Sequence, residues 1–372
     1  MLNFSPINFV NKQRIMKNNI RIIVIGCGNM GSSHARAYHK IPGFELVGLV
    51  DKSPKNRELL SDELGGIKQF DDIDIALLDT KPDAVCICTY PDSHAELAIK
   101  SLNANAHVFV EKPLAVTVEK AAETVKLARK KNKKLIVGYI LRVHPSWKKF
   151  TEIARTLGKP LVMRMNLNQQ SGKDTWQWHL NLMKSMSPIV DCGVHYVDIM
   201  CQMTRSNPVR VHAIGARLTD ELKPEMYNYG QLQVVFEDGS VGWYEAGWGP
   251  MMSEVAFFVK DVIGPKGCIS ITDAEKGDMG SDDIDSHTQT NRLKLHYSEM
   301  DEHHNFIKPD EIISTEDEPD HQGLCDLEQE FFLNAILNDE DLTAHQDDAV
   351  NSLKIVLAAD ESVRTGNVVE LD

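Results

Sequence analysis

The sequence has few cysteines and no paired cysteine motif. Its 372 residues include seven cysteines, an odd number, and no two of them are spaced as CxxC. This excludes a small disulfide-stapled secreted domain and a zinc site built on CxxC pairs. No apolar run reaches the length of about 18 residues that a membrane helix needs. We therefore expect free, mostly buried thiols and a cytoplasmic protein without a membrane segment.

Several catalytic motifs are also missing, and positive charge is scarce. The sequence has no HExxH, no EF-hand loop, no P-loop and no GxSxG elbow, so we expect neither a bound metal nor hydrolysis by an activated serine. Lys and Arg number 40 against 54 Asp and Glu, which gives a net charge of −14. Such a balance disfavours binding to nucleic acid or to anionic membranes.

The negative charge is concentrated in one segment. Between Ile271 and Asp320 there are 15 acidic and four basic residues, so the rest of the chain is nearly neutral and can bind an anionic cofactor. We interpret residues 271–320 as an acidic, insertion-like outer segment or as an arm that contacts another subunit.

The order of apolar segments predicts two domains after a flexible extension over residues 1–18. Short buried strands such as Arg21–Ile25, Phe44–Val50 and Ala84–Cys88 alternate with helices, which predicts an α/β domain with a doubly wound parallel sheet over residues 19–141. Beyond Arg142 strands follow one another and are separated by turn signals. This pattern predicts a second, α+β domain with a mainly antiparallel sheet over residues 142–372.

A glycine motif follows the first strand and opens a helix. Gly26, Gly28 and Gly31 fit GxGxxG, and Asp51 ends the second strand 20 residues after Gly31. In this context the glycines allow a tight turn, close approach to a pyrophosphate and close helix packing, and the acidic residue accepts hydrogen bonds from a ribose. The charge of Asp51 favours NAD over NADP. The alternative is a plain glycine turn with a capping aspartate.

Two further motifs carry titratable side chains. Lys112 lies in Glu111-Lys112-Pro113, directly after a strand, where it can stabilise charge on a substrate oxygen; alternatively it is an exposed lysine paired with Glu111. Asp191 and His195 are four residues apart and so share a helix face, as an orienting carboxylate and a proton acceptor do. The alternative is a helix cap and a buried histidine. Nearby, Trp176 and His179 can pack on a sugar ring or simply fill the core.

Together with Thr89-Tyr90-Pro91 and His94, these motifs resemble the glucose–fructose oxidoreductase/inositol dehydrogenase/rhizopine catabolism (Gfo/Idh/MocA) family. The resemblance extends from Ile20 to Leu371. It implies a Rossmann domain followed by a domain with a large open sheet, whose exposed face forms a homodimer or homotetramer. It also implies oxidoreduction of a sugar, a sugar derivative or a cyclitol. One departure is Met183–Pro188, where many members have a Gly-Gly stretch.

The resemblance also assigns residues. Lys112 matches the active-site lysine, and Asp191 with His195 matches the catalytic pair, with His195 as the proton acceptor. The expected cofactor-binding residues are Gly26, Gly28, Asn29, Met30, Gly31, Asp51, Thr89, Pro91, His94, Glu111, Lys112 and Arg142. The expected substrate-binding residues are Lys112, Trp176, His179, Asp191 and His195, and the segment from Lys173 to Ser187 is expected to form a loop that shapes the substrate site.

Two other functions fit the same motifs. One is a glycoside-cleaving enzyme that retains NAD and oxidises its substrate transiently. The other is a non-catalytic, dinucleotide-binding regulator. The presence of both Lys112 and His195 argues against the regulator.

Overall fold

The computed structural model describes residues 19–253, 259–272, 290, 292–315 and 318–371. The described residues form two compact units, one within the bounds 1–138 and 322–347 and the other within the bounds 139–321 and 348–372. The predicted extension over residues 1–18, the start of the strand predicted at Val255 and part of the acidic segment lie outside the described residues. Within the described part of the chain, no helix combines the length and the apolar character needed to span a bilayer.

The first unit alternates strands and helices, as the hydrophobic pattern predicts. The unit also contains a short strand and a short helix near residue 70. Its elements are β1 (Ile20–Ile25), α1 (Asn29–Lys40), β2 (Phe44–Val50), α2 (Pro54–Glu63), β3 (Gln69–Phe70), α3 (Ile73–Thr80), β4 (Ala84–Ile87), α4 (Pro91–Asn103), β5 (His107–Glu111), α5 (Val118–Lys130) and β6 (Leu135–Gly138).

The six strands form a parallel sheet in the order β3-β2-β1-β4-β5-β6. This confirms the predicted doubly wound sheet. Its central strands are buried on both faces, and Val24, Cys86 and Phe109 have no solvent exposure, which explains their continuous apolar sequences. The strand order reverses between β1 and β4, so the carboxyl ends of the strands open a crevice at that point, where ligands of such sheets bind.

The second unit begins with a short helical turn, Ile140–Arg142. Its elements are α6 (Pro145–Ala154), β7 (Val162–Gln170), α7 (Lys173–Leu182), α8 (Pro188–Asp191), α9 (Gly193–Thr204), β8 (Pro208–Ala216), β9 (Tyr229–Phe236), β10 (Val241–Gly249), β11 (Lys260–Gly264), β12 (Gly267–Thr272), β13 (Arg292–Tyr297) and β14 (Glu311–Ser314). The chain closes with α10 (His321–Leu337), α11 (Thr343–Thr365) and β15 (Val369–Glu370). The segment expected to be a loop, 173–187, is helical in α7 because His179 and Leu182 lie three residues apart and are its buried side chains.

Among the described residues, the second sheet has nine strands in the order β14-β13-β12-β11-β7-β10-β9-β8-β15. Neighbouring strands are antiparallel except for β7 and β10, which run parallel with Val162 opposite Val241. This confirms the prediction of a mainly antiparallel sheet. Helices α8 and α9 pack against β10 on one face.

The closing helix α10 packs on the first sheet, which differs from the prediction that residues 142–372 form the second domain. Residues 322–347 belong to the first unit. The reason is apolar contact: the ring of Phe332 lies 6.3 Å from that of Phe44 and 6.1 Å from that of Phe109. All three rings belong to one buried cluster.

We expect Phe332→Ala to destabilise the first unit strongly. The ring is fully buried, so its removal leaves a cavity, and such changes cost about 3–5 kcal/mol. Chemical denaturation followed by circular dichroism measures the loss. Leu78→Ala is the control, since Leu78 in α3 is 77% exposed and its removal should change stability by less than about 0.5 kcal/mol. Equal stability of the two variants would contradict the packing of α10.

Candidate active site

The glycine motif forms the turn between β1 and α1. Gly26 has a φ of 90°, which only glycine adopts at little cost. A Cβ at Gly31 would lie 1.7 Å from the carbonyl oxygen of Gly26, whereas a Cβ at Gly28 would meet nothing within 4 Å. Gly31 is therefore needed for packing, and Gly28 borders open space. No side chain caps the start of α1, which suits an anion at the N–H groups of its first turn, those of Asn29 and Met30 included.

Asp51 is fixed beside this turn. Its Oδ2 accepts a hydrogen bond of 2.7 Å from the backbone N–H of Cys27, and its Oδ1 accepts one of 2.7 Å from Ser53. Each carboxylate oxygen can still accept a second hydrogen bond, and the residue is partly exposed. Open space over Gly28, the uncapped helix start and the oriented carboxylate of Asp51 together fit a dinucleotide with a free ribose hydroxyl pair.

Lys112 directly follows β5 at the carboxyl edge of the parallel sheet. The carboxylate of Glu111 beside it is mostly buried: Oε1 lies 2.7 Å from Nε2 of His34, and Oε2 accepts a hydrogen bond of 3.2 Å from the backbone N–H of Lys112. Glu111 therefore orients the backbone of its neighbour. The two belong to the same edge as Asp51, as the sequence predicts.

His94 differs from the expectation that it binds the cofactor. The imidazole has no solvent exposure, and its nitrogens lie 2.8 Å from the carbonyl oxygen of Pro113 and 2.9 Å from that of Thr89. Both nitrogens thus face backbone carbonyls, which gives His94 a structural position between two loops. Thr89 bonds Ser93 through its hydroxyl group, and Pro91 begins α4.

Asp191 and His195 lie on either side of a break between two helices. Helix α8 ends at Asp191, α9 begins at Gly193, and a Cβ at Gly193 would lie 2.9 Å from the ring of Tyr244. His195 is in the first turn of α9, and its ring packs edge-on against Tyr139 at 5.9 Å. The two side chains are therefore placed by a helix junction that packs closely on β10.

A polar cluster lies where the parallel strands β7 and β10 end. The ring of His179 stacks on the indole of Trp248 at 4.2 Å, and the indole N–H donates to Oε1 of Gln169, 2.5 Å away. The thiol of Cys192 also contacts this oxygen, at 3.4 Å. Sequence analysis missed Gln169, because a glutamine in an ordinary strand carries no motif.

His179 has the strongest indication of a ligand in this cluster. Its side chain is buried, and neither ring nitrogen has a hydrogen-bond partner among the described residues. Burial lowers the pKa of His179 to about 4, against the opposing charge of Asp191. The imidazole is neutral at pH 7 and offers one donor and one acceptor.

Arg142 and Trp176 have partners that the sequence did not predict. Arg142 donates from Nε to Asp198 over 2.7 Å and from Nη2 to Asp348 over 2.9 Å. Its guanidinium is thus used by two carboxylates of its own unit, of which that of Asp198 is fully buried. The indole N–H of Trp176 donates to Glu221 over 3.1 Å.

The strand order, the glycine turn and Asp51 define a dinucleotide-binding oxidoreductase domain. Residues 20–139 match the family described as "Oxidoreductase family, NAD-binding Rossmann fold", and residues 153–269 match the C-terminal domain of the same family. The chain belongs to the Gfo/Idh/MocA oxidoreductase family, and its cofactor is NAD.

Curated relatives include dehydrogenases of cyclitols and sugars. The chain is 26% identical over 366 residues to scyllo-inositol 2-dehydrogenase (NAD(+)) of Bacillus subtilis (strain 168), which covers 96% of this chain and 98% of that protein. It is 29% identical over 191 residues to D-glucoside 3-dehydrogenase of Escherichia coli (strain K12), a match that covers 50% of this chain and 54% of that protein.

Solved structures share the fold over nearly the whole chain. A myo-inositol 2-dehydrogenase from Lactobacillus plantarum superposes with a TM-score of 0.75 at 20% identity, covering 95% of this chain and 100% of that one. An oxidoreductase from Agrobacterium radiobacter, solved with NAD+, L-tartaric acid and magnesium, gives a TM-score of 0.76 at 17% identity and covers 95% of this chain and 98% of that one.

We expect Gly28→Ala to weaken NAD binding without destabilising the fold. The added methyl group meets no protein atom but occupies the space of the pyrophosphate, so the Kd for NAD should rise at least about tenfold. The melting temperature should stay within about 2 °C. Calorimetric titration and thermal melting give the two values.

Gly31→Ala is the matched control for the same turn. Its methyl group collides with the backbone of Gly26, so this variant should have a lower melting temperature than the wild type in the absence of NAD. Unchanged NAD affinity in Gly28→Ala would show that the pyrophosphate does not lie over the turn.

Proposed function

We propose that the protein oxidises a secondary hydroxyl of a sugar, a sugar derivative or a cyclitol with NAD as the hydride acceptor. The observation that carries this proposal is the buried, neutral imidazole of His179, whose nitrogens lack partners among the described residues. A buried polar group without a hydrogen bond costs about 1–3 kcal/mol. A ligand hydroxyl, which both donates and accepts, fits such an imidazole.

The surroundings of His179 support a ligand with several hydroxyl groups. Asp191 is close enough to shift the pKa of His179, and Gln169 ends its strand in the same cluster. Carboxylate, amide and imidazole groups together provide the donors and acceptors that a polyhydroxylated ring needs. The named activities of the relatives, on inositols and glucosides, support the same substrate class.

In this proposal His195 and Lys112 act on the reacting oxygen. When bound, NAD would supply the hydride acceptor for the carbinol carbon. His195 removes the hydroxyl proton as general base, and Asp191 orients its imidazole. The ammonium group of Lys112 donates a hydrogen bond to the oxygen and stabilises the negative charge that develops there. In the reverse direction the same groups protonate and polarise a keto sugar.

We expect His195→Ala to lower turnover about 10²- to 10⁴-fold, the usual contribution of a positioned general base. The wild type should form NADH, detected by its fluorescence, with at least one compound of a panel of inositols, hexoses, glycosides and uronates. The affinity for NAD should be unchanged, because His195 lies outside the Rossmann unit. His303→Ala is the control, since His303 is exposed and its removal should leave turnover intact.

Equal turnover of wild type and His195→Ala would remove this residue from the mechanism. A panel without any NADH formation, together with clear NAD binding, would favour the non-catalytic regulator. Cleavage of a glycoside without net NADH formation would favour the NAD-retaining glycosidase.

We also propose that the chain forms a homodimer or homotetramer through the open face of the second sheet. Side chains at alternate positions of the central strands project on this face, and five of them are apolar: Val162, Val235, Val241, Trp243 and Ile263. The register neighbours of Trp243 on this face, Arg164 and Gln233, are polar. An ion pair between Arg164 and Asp261, 2.9 Å from Nε to Oδ1, lies beside them. An apolar patch with a polar rim is typical of an interface between identical subunits.

We expect Val241→Glu to dissociate this assembly, because the register neighbours of Val241, Val162 and Val235, are apolar and a charge between them is costly to bury. Light scattering coupled to size-exclusion chromatography should show an oligomer for the wild type and a monomer for the variant. Leu218→Glu, at an exposed position after β8, should remain oligomeric. A monomeric wild type would overturn the proposal.

A further inference from the structure

Two buried histidines lie on either side of the Glu111-Lys112-Pro113 tripeptide. His34 belongs to α1, the helix after the glycine turn, and His94 belongs to α4. Both imidazoles are fully shielded from solvent, and neither takes part in the proposed proton transfer. We call this pair the histidine clamp.

His34 reaches the tripeptide through the carboxylate of Glu111. Its Nε2 lies 2.7 Å from Oε1 of Glu111, whose Oε2 accepts the backbone N–H of Lys112 over 3.2 Å. On the other side of the ring, Nδ1 lies 2.8 Å from the amide nitrogen of Gln329 in α10. The imidazole is thus fixed on both sides, and the carboxylate that it holds contacts the peptide of Lys112.

His94 reaches the tripeptide from its other end. Its Nδ1 lies 2.8 Å from the carbonyl oxygen of Pro113, and its Nε2 lies 2.9 Å from that of Thr89. Burial lowers the pKa of His94, so the ring is neutral and donates its one N–H to either carbonyl. Lys112 therefore lies between Glu111, which is hydrogen-bonded to the imidazole of His34, and Pro113, whose carbonyl oxygen lies within hydrogen-bond distance of the imidazole of His94.

The charges around His34 strengthen its contact with Glu111. Burial alone would lower the pKa of His34, but the hydrogen bond to Glu111 and the negative groups nearby outweigh burial and raise the pKa to about 9. Burial, the larger cause, and the nearby carboxylate of Glu111 raise the pKa of Glu328 to about 8, whereas His34 opposes the shift. The hydroxyl of Tyr38 donates to Oε1 of Gln329. A charged His34 therefore donates from Nδ1 only if Gln329 turns its amide and the Tyr38 hydroxyl becomes the acceptor.

A metal site is the competing interpretation of this region. The ligand atoms of His34, Cys325 and Glu328 lie within 4.8 Å of one another, the only such trio within the described ranges. However, both nitrogens of His34 are used by Glu111 and Gln329. Burial also raises the pKa of the Cys325 thiol, whereas a metal ligand must be deprotonated. The hydrogen-bond network explains these residues better.

We propose that His34 and His94 are positioning residues that fix the backbone of Lys112 from both sides, and thereby the starting point of its side chain. This inference rests on the proposed role of Lys112 at the substrate oxygen. The lysine side chain has four flexible methylene groups. The position of its ammonium group therefore depends on how precisely the backbone of Lys112 is held. A displacement of about 1 Å at a reacting group can lower the rate about 100-fold.

The substrate-free test is hydrogen–deuterium exchange on the full chain, read at single amides by mass spectrometry. His34→Leu removes the donor to Glu111, and the amide of Lys112 should then exchange at least about tenfold faster. His34→Gln keeps an N–H donor near the position of Nε2 and should restore most of the protection. His94→Leu and His94→Asn form the corresponding pair for the contact with Pro113, read at the amide of Leu114.

His107→Leu is the matched control. His107 begins the same strand, β5, and its Nδ1 accepts the backbone N–H of Lys134 over 2.9 Å. This variant also loses an imidazole hydrogen bond in the Rossmann unit, but at the opposite end of the strand. Its exchange at Lys112 and its turnover should match the wild type, and melting temperatures of all variants show which of them are folded.

The kinetic test uses the most active compound of the panel. His34→Leu and His94→Leu should lower kcat about 10- to 100-fold with little change in the Kd for NAD, and the conservative variants should recover most of the rate. In a Lys112→Met background the clamp has no ammonium group to position. In that background His34→Leu should change the remaining rate by less than about twofold, because His34 affects the rate only through the position of the Lys112 ammonium group.

The possible outcomes separate this inference from the proposed function. Unchanged amide exchange and turnover in His34→Leu and His94→Leu would overturn the clamp. An equal loss of turnover in His107→Leu would also overturn it. The same holds if the rate losses of His34→Leu and Lys112→Met are fully additive. If Lys112→Met itself retains full turnover, the proposed role of Lys112 fails. The exchange measurements would then still decide whether the two histidines fix its backbone.

Discussion

The structure of the Rossmann unit depends on one close approach between backbone atoms. Helix α1 begins so near β1 that a Cβ at Gly31 would lie 1.7 Å from the carbonyl oxygen of Gly26. This approach aims the helix N-terminus at the crevice between β1 and β4, where an anionic cofactor binds. It also brings the next turn of α1 over the sheet, and His34 of that turn reaches Glu111 at the end of β5.

The carboxyl edge of this sheet gathers residues from distant parts of the chain. Asp51 follows β2, Lys112 follows β5, and Gln329 of α10 contacts His34. The hydrogen bonds of His34 with Glu111 and Gln329 are buried, so their geometry is demanding. Helix α1 therefore connects the glycine turn at its start with the carboxylate beside Lys112.

The second unit is built on a mainly antiparallel sheet. Its parallel pair, β7 and β10, brings the ends of two strands together and places Gln169 beside Trp248. The ring of His179 in α7 stacks on that indole, and Asp191 at the end of α8 is close enough to shift the pKa of His179. The polar cluster and the face proposed as an interface therefore belong to opposite faces of one sheet.

Sequence alone determined the features that depend on interactions between residues close together in the chain. These are the parallel βα units, the glycine turn and the position of Lys112 at the edge of the sheet. Strand burial, turn geometry and helix starts all act over a few residues. Only the tertiary structure decided that α10 completes the first unit, that Arg142 pairs with Asp198 and Asp348, and that His94 lies between two backbone carbonyls. Those outcomes depend on which buried groups meet across long chain separations, and no short-range pattern records that pairing.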